Sequence, residues 1–226
     1  MLKHLFLIAS LLGSSAALAD AASLSGTVVY ESRLVSADGI EKRTRFSERL
    51  VRTDSVVWTE RVIPANASHE KAAHEEGHDH LHPADLARAA RYLSRNADGK
   101  LKLAFVLEDE RTVVNAETRD FEQLGFDGNW PMSWSLFDPA QLKNLKKTNR
   151  QTAEAGTTWY ETRGQGRFIR VLWSEPRRIA LEIESGTDDG SRWNRTQVQL
   201  DAKPQATLPW QRLAKYQQKD YVDLLD

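Results

Sequence analysis

The chain has 226 residues and a nearly balanced charge, with 31 Lys and Arg against 32 Asp and Glu. It contains no cysteine, which excludes disulfides, thiolate nucleophiles, cysteine-ligated zinc and iron–sulfur clusters. With a formal charge of -1 the chain has no overall excess of basic residues, so we expect no nucleic-acid partner. The net charge does not exclude a local basic patch. With 40% hydrophobic residues, the chain has enough apolar material to pack a core.

The first 19 residues have the pattern of a secretory signal peptide. Lys3 supplies a positive start, an apolar run covers residues 5–12, and Ala17-Leu18-Ala19 forms a small-residue cleavage site. The apolar run is too short to span a bilayer, and no later segment approaches the roughly 20 apolar residues of a membrane helix. We therefore predict a signal peptide at 1–19 and one β-rich domain at 20–226, exported to a bacterial periplasm and not membrane-spanning.

Most of the remaining chain alternates apolar and polar residues, as β-strands do. The first strand begins at Ser23, and the Asp38-Gly39 pair after it is a hairpin turn signal. In the second, Phe46 and Leu50 fall on one face and arginines on the other. The predicted strands are 23–30, 43–51, 56–63, 101–107, 112–116, 157–162, 167–173, 178–183 and 192–200. The short turns between many of them favour antiparallel pairing.

Three segments are predicted as helices. Residues 83–95 carry a proline in the first turn and an apolar stripe with helical spacing. A shorter helix starts at Asp138-Pro139, with Asp138 as its N-cap, and a third lies near 209–226. The predicted fold class is mostly β (α+β), a curved antiparallel sheet or open barrel of about nine strands with helices covering one side.

The order of elements over residues 24–200 resembles the LolA/LolB fold, which also forms the N-terminal domain of RseB-like regulators. The nearest local likenesses are Gly26-Thr27-Val28-Val29-Tyr30-Glu31 and the run Glu48-Arg49-Leu50-Val51-Arg52 before a Trp-containing strand. The resemblance implies an incomplete antiparallel barrel with a concave apolar cavity for a lipid, an acyl chain or a lipoprotein. It identifies no site residue. The seven Trp and seven Phe would suit the lining of such a cavity, but the filling of a core is the favoured interpretation of these aromatics.

Histidines are concentrated in one segment of the chain. Within the predicted loop 64–82 lie all five histidines that follow the signal peptide, namely His69, His74, His78, His80 and His82. A His-rich tract is typical of metal binding, and imidazole suits zinc, copper(II) and nickel. We therefore predict that these five residues bind a divalent transition metal, with zinc the first expectation. A solvated surface loop without a specific role is the alternative.

His74-Glu75-Glu76-Gly77-His78 also satisfies the H-E-x-x-H pattern of zinc peptidases. In that motif two histidines on one helix face bind zinc, and the glutamate is the general base. Here Gly77 weakens the helix and the flanks offer almost no apolar face for packing. The context favours a metal-binding segment over an enzyme.

Three functional hypotheses follow. The first is a non-enzymatic periplasmic protein whose His-rich loop captures a divalent metal, with zinc as the first candidate. The second is a LolA- or RseB-like carrier of a lipid or lipoprotein, or an envelope-stress regulator. The third is a zinc hydrolase that uses His74, Glu75 and His78.

Overall fold

The computed structural model describes residues 23–63, 86–203 and 205–225. The predicted signal peptide and the His-rich loop 64–82 lie outside these residues. Twelve strands form one sheet in the spatial order β12-β6-β5-β4-β3-β2-β1-β11-β10-β9-β8-β7. Their bounds are Leu24–Val35 (β1), Glu41–Arg52 (β2), Val56–Val62 (β3), Ala90–Arg95 (β4), Leu101–Leu107 (β5), Thr112–Ala116 (β6), Lys146–Lys147 (β7), Thr157–Gly164 (β8), Arg167–Ser174 (β9), Ile179–Thr187 (β10), Arg192–Leu200 (β11) and Gln217–Asp220 (β12).

Helical segments in the described chain are short. One is an α-helix, α1 (Trp130–Ser135), and it lies between the 3-10 helices Thr118–Asp120 and Pro139–Asn144. Two more 3-10 helices, Pro209–Lys215 and Tyr221–Leu224, flank β12 near the C-terminus. No helix among the residues that the structure describes is long and apolar enough to cross a membrane.

The central strands bury side chains on both faces of the sheet. The inner face is the one that carries Val28, Leu50 and Val57, which pack with residues of α1 in the main core. The outer face carries Val51 and Trp58, which pack beneath the C-terminal helix Pro209–Lys215 through side chains such as Leu213. The sheet is therefore covered by α1 and its neighbours on one side and by the C-terminal segment on the other.

The strand predictions are confirmed for nine of the twelve strands, and the expected mostly β class is confirmed. Phe46 and Leu50 share the inner face, as the alternation predicted, because their partners in β1 are Tyr30 and Gly26. Three strands were missed, namely β4, β7 and β12. The pairing is antiparallel except for β12, which lies parallel to β6 and makes the sheet mixed.

The helix predicted at 83–95 is wrong over its C-terminal half. Residues 90–95 form β4, which pairs with β3 on one side and β5 on the other. Leu93 belongs to the main core, whereas Tyr92 packs on the outer face. Hydrogen bonds from two neighbouring strands, which no local pattern reveals, outweigh the helical spacing of the apolar residues.

The other two helix predictions differ from the structure in form. Asp138 does cap a helix, accepting a hydrogen bond from the Ala140 amide at 2.9 Å, but the helix is a 3-10 helix. In place of one helix near 209–226, the chain forms a 3-10 helix, β12 and a second 3-10 helix. This segment crosses the edge of the sheet, so Leu213 packs on the outer face while Tyr221 and Leu224 reach the inner core.

Candidate functional site

The inner face is covered by one stretch of chain between β6 and β7, residues 117–145, called here the cover segment. Its centre is α1, which begins where Asn129 accepts a hydrogen bond from the Met132 amide at 2.9 Å. Pro131 suits the first turn because its missing amide has no helical partner there. The helix ends at Leu136, which has a left-handed φ of 61°.

The cover segment has little stability of its own. Its helices span three to six residues each, and so short a helix cannot repay the cost of nucleation in water. Its position depends on contacts with the sheet, chiefly the burial of Phe121, Phe126 and Trp130 in the main core. A segment of this kind opens at lower free energy than the strands beneath it.

Arg52, at the end of β2, fastens the cover segment to the sheet. Its side chain points to the inner face and the residue is 3% exposed. One guanidinium nitrogen donates to the carbonyl of Trp134 in the cover segment and to the Arg178 carbonyl at 3.3 Å. The other donates to the carbonyl of Arg177, next to β10. Arg52 therefore ties α1 to β2 and β10 at once.

Trp134 completes this fastening through its ring. The Arg52 guanidinium lies 3.6 Å from the ring centroid, and that of Arg178 lies 5.3 Å from it. The indole nitrogen donates to the Thr53 carbonyl at 2.7 Å. An arginine over an indole gains cation–π attraction in addition to its hydrogen bonds. We call the contacts of Arg52 and Trp134 the latch.

The latch has no ion pair within the described chain, although the charge of Asp54 favours the cationic form of Arg52. No ion pair joins Arg52 to an acidic side chain in the described part of the chain. Burial, and secondarily the nearby Arg178, lowers the pKa of Arg52 to about 10, so it remains a cation at neutral pH. Backbone carbonyls are weaker partners for a buried cation than a carboxylate, because they bring no opposite charge. The latch is therefore well formed but carries a desolvation cost.

An open cavity of about 410 Å³ lies beside the latch. Arg52, Asp54 and Trp134 line it together with the first residues of β1 and the end of β11. At its rim, Asp201 accepts from Ser25 at 2.5 Å and from Arg49 at 2.5 and 3.1 Å. These bonds tie the start of β1 to the end of β11, and they leave the space next to Trp134 open.

Away from α1, the inner face carries an aromatic row that is only half-buried. Tyr30 and Phe46 are opposite each other on β1 and β2, and their rings stack with centroids 4.7 Å apart. The Arg61 guanidinium lies 3.6 Å from the Phe46 ring. Burial is the main cause that raises the pKa of Tyr30, and the negative charge of Glu48 raises it further, so the phenol stays neutral. Tyr30 packs against the main core, and the charged groups of Glu48 and Arg61 lie beside this aromatic pair.

The predicted metal ligands His69, His74, His78, His80 and His82 lie outside the described residues, as does Glu75. In the chain on either side of that gap, no group of three or more His, Cys, Asp or Glu side chains could hold a metal. The metal prediction is therefore untested. The sequence analysis missed Arg52 as a functional residue. Arg52 lies an even number of positions from Phe46 and Leu50, and in a strand this spacing places it on the same apolar face.

No protein-family model and no curated protein matches the chain. Solved structures match most of its length. An uncharacterized conserved protein from Thermus thermophilus is 11% identical with a TM-score of 0.43, over 88% of this chain and 91% of that chain. An outer membrane lipoprotein-sorting protein domain from Vibrio parahaemolyticus is 11% identical with a TM-score of 0.34, over 86% and 90%. A LolA superfamily protein from Nitrosomonas europaea is 8% identical with a TM-score of 0.32, over 85% and 90%.

At these identities and TM-scores, the matches carry no argument about ligand or activity. An open, curved sheet with short helices on its inner face is the architecture of this chain.

Proposed function

We propose that this chain is an exported, periplasmic carrier that binds an acyl chain or the lipid part of a lipoprotein between the inner face and the cover segment. The latch is the observation that carries this proposal. A buried arginine that donates to backbone carbonyls and stacks on one ring fastens a segment of low intrinsic stability over an apolar sheet face. Such a segment can be released as a unit, exposing apolar surface to a ligand.

The energies favour an apolar ligand of sufficient length. Burying one methylene group contributes about 0.8 kcal/mol, so about ten methylenes contribute about 8 kcal/mol. Opening the latch costs on the order of 3 kcal/mol when hydrogen bonds and ring contact are weighed against the desolvation of Arg52. Exposing Phe121, Phe126 and Trp130 costs about 2 kcal/mol more for each of them. A long acyl chain of about 12 methylenes or more therefore offsets the opening, whereas a small apolar molecule does not.

The test is a titration with a fluorescent long-chain fatty acid. We expect Arg52→Met to bind it at least about tenfold more tightly than the unaltered chain, because a larger open fraction lowers the apparent Kd. Arg178→Met is the matched control, since Arg178 is exposed and contacts the same ring at the longer distance. Absence of binding by both the unaltered chain and Arg52→Met would refute the carrier function.

A second candidate function rests on the histidine segment. We propose that His69, His74, His78, His80 and His82 capture a divalent metal, zinc first, supported by their concentration in the sequence. Neutral imidazole is the ligand, so calorimetric zinc binding should be present at about pH 7.5 and weak at about pH 5.5. Deleting residues 69–82 should abolish it and leave fatty-acid binding intact. No zinc binding at either pH would refute this proposal.

The same segment carries the hydrolase hypothesis. With zinc bound, Glu75→Gln should abolish any metal-dependent peptide hydrolysis while it leaves the zinc affinity unchanged, since this glutamate is the general base of the motif and not a ligand.

A further inference from the structure

The outer face of the sheet matches charges across its strands with unusual regularity. One row of directly opposed residues crosses seven strands and alternates in sign throughout: Lys146, Glu161, Arg170, Glu184, Arg195, Glu31 and Arg45. Arg170 lies 2.8 Å from Glu184 and 3.7 Å from Glu161. Opposite charges that face each other stabilise neighbouring strands, so this row is satisfied within the sheet.

The next row toward the β1–β2 hairpin breaks the alternation. Its opposed residues are Arg163, Phe168, Gly186, Trp193, Arg33 and Arg43. Arg33 and Arg43 face each other directly, which is an unfavourable pairing of like charges. The row contains three arginines and no carboxylate.

These two arginines line a second open cavity, of about 660 Å³. A volume of this size is within the range of small-molecule sites. Arg45 and Glu31 also line it and pair at 3.3 Å, and Trp193 forms one wall. The remaining lining groups are the hydroxyl-bearing Ser32 and Thr44.

Arg33 is under-used as a donor. Its guanidinium donates to the Gly190 carbonyl at 3.1 Å, and its Nε is buried without a hydrogen-bond partner among the described residues. Among the described residues, Arg43 pairs with Glu41 on its own strand, and the Arg43 side chain is 75% exposed. The Glu41 carboxylate also interacts with the charge of Arg33. An exposed pair of this kind contributes little, so Glu41 can yield Arg43 to a ligand.

We propose that this cavity binds a phosphate group, held by Arg33 and Arg43 against the wall formed by Trp193. An oxyanion between two opposed guanidinium groups removes their repulsion and supplies acceptors for their free donors. The site stands apart from the proposed carrier function, because most of its lining side chains are on the outer face.

Both a soluble phosphate ester and a lipid headgroup present this phosphate chemistry. The hairpin between β1 and β2 gives a reason to test the headgroup. Leu34 and Ile40, next to the cavity, are 45% and 66% exposed. Exposed apolar side chains beside arginines are suited to the interface of an anionic membrane.

The experiment has two arms, both with the full chain. Inorganic phosphate is titrated by calorimetry, and flotation is measured with phosphatidylcholine vesicles with and without phosphatidylglycerol. We expect Arg33→Gln combined with Arg43→Gln to weaken binding at least about tenfold. The control is Arg119→Gln combined with Lys102→Gln, which removes the same charge at exposed positions elsewhere.

Each outcome decides the proposal. Phosphate binding without vesicle binding supports a soluble ester, and binding only to the anionic vesicles supports a headgroup. No binding in either arm, or equal weakening in the variant and the control, overturns it. The single variant Arg43→Gln separates loss of binding from loss of folding. Its exposed side chain can be replaced without disturbing the core, and the replacement should still weaken binding.

Discussion

Replacing Arg52 with methionine should free the cover segment while the sheet stays folded. Methionine keeps most of the apolar stem of Arg52 but removes every donor of the latch. The carbonyls of Trp134, Arg177 and Arg178 then lose their partner, and the Trp134 ring loses its closest cation.

The magnitude follows from the contacts. Each of the three bonds from a charged donor contributes about 2 kcal/mol, and the ring contact adds about 2 kcal/mol. Against this stands the desolvation of a buried guanidinium, about 5 kcal/mol after relaxation. The net loss is about 3 kcal/mol, which corresponds to a change of about a hundredfold in the opening equilibrium of the cover segment.

Amide hydrogen exchange measured by mass spectrometry resolves where this free energy is lost. Amides bonded within the cover segment, such as those of Phe126, Met132 and Ser133, should exchange about a hundredfold faster in Arg52→Met. Amides of Leu103 and Val106, in the middle of β5, should change much less because their bonds belong to the sheet.

Two results would refute the reasoning. Equal acceleration in the cover segment and in β5 would show that Arg52 supports the whole fold. Unchanged exchange in the cover segment would show that apolar packing alone holds it, so that the latch has no gating role. Arg178→Met serves again as the control and should shift exchange by less than about fivefold, since its cation–π contact is longer.

Three further predictions concern the fold around the site. Gly26→Ala should lower the free energy of unfolding in urea by more than about 2 kcal/mol, because the added Cβ would lie 2.5 Å from a backbone oxygen of β11. Gly164→Ala is the control: its Cβ would meet no atom within 4 Å, so the free energy of unfolding should hardly change. Leu224→Ala should cost about 2 kcal/mol by thermal unfolding, since Leu224 is 8% exposed, and Leu225→Ala, at 52% exposed, should cost less than about 0.5 kcal/mol. Asp201→Asn should destabilise the fold at neutral pH but not in acid. Hydrogen bonds from Arg49 and, secondarily, from Ser25 lower the pKa of Asp201. The carboxylate therefore stabilises the folded chain above about pH 4, and this contribution is lost as the pH falls through the lowered pKa. A urea-midpoint difference that persisted at about pH 2 would contradict this assignment.

The alternating strands could be predicted because their pattern is local and their turns carry strong signals. Residues 101–107, 112–116 and 192–200 were predicted with the bounds that the structure has. β4 could not be predicted, because its apolar residues also fit helical spacing, and only β3 and β5 on either side decide the matter. The two-residue β7 is too short to form any pattern.

The candidate site was less accessible than the fold. Arg52 sits in a strand with arginines at 43, 45 and 49, and only its parity distinguishes it from them. The two-residue repeat of the strand placed Arg52 on the apolar face. Nothing in the neighbouring sequence shows that its guanidinium would donate hydrogen bonds to carbonyls of residues more than 80 positions away. The opposed pair of Arg33 and Arg43 likewise depends on the register of β1 and β2.

The sequence by itself determined the strand-rich class, the absence of thiol chemistry in a cysteine-free chain, and the histidine concentration at residues 69–82. These depend on composition and on neighbours along the chain. The tertiary structure decided which arginines have functional surroundings, because burial, pairing across strands and the reach of a carbonyl depend on residues distant in sequence. Arg52 became a latch and Arg33 a candidate phosphate ligand through those distant partners, since one guanidinium differs from another only in what surrounds it.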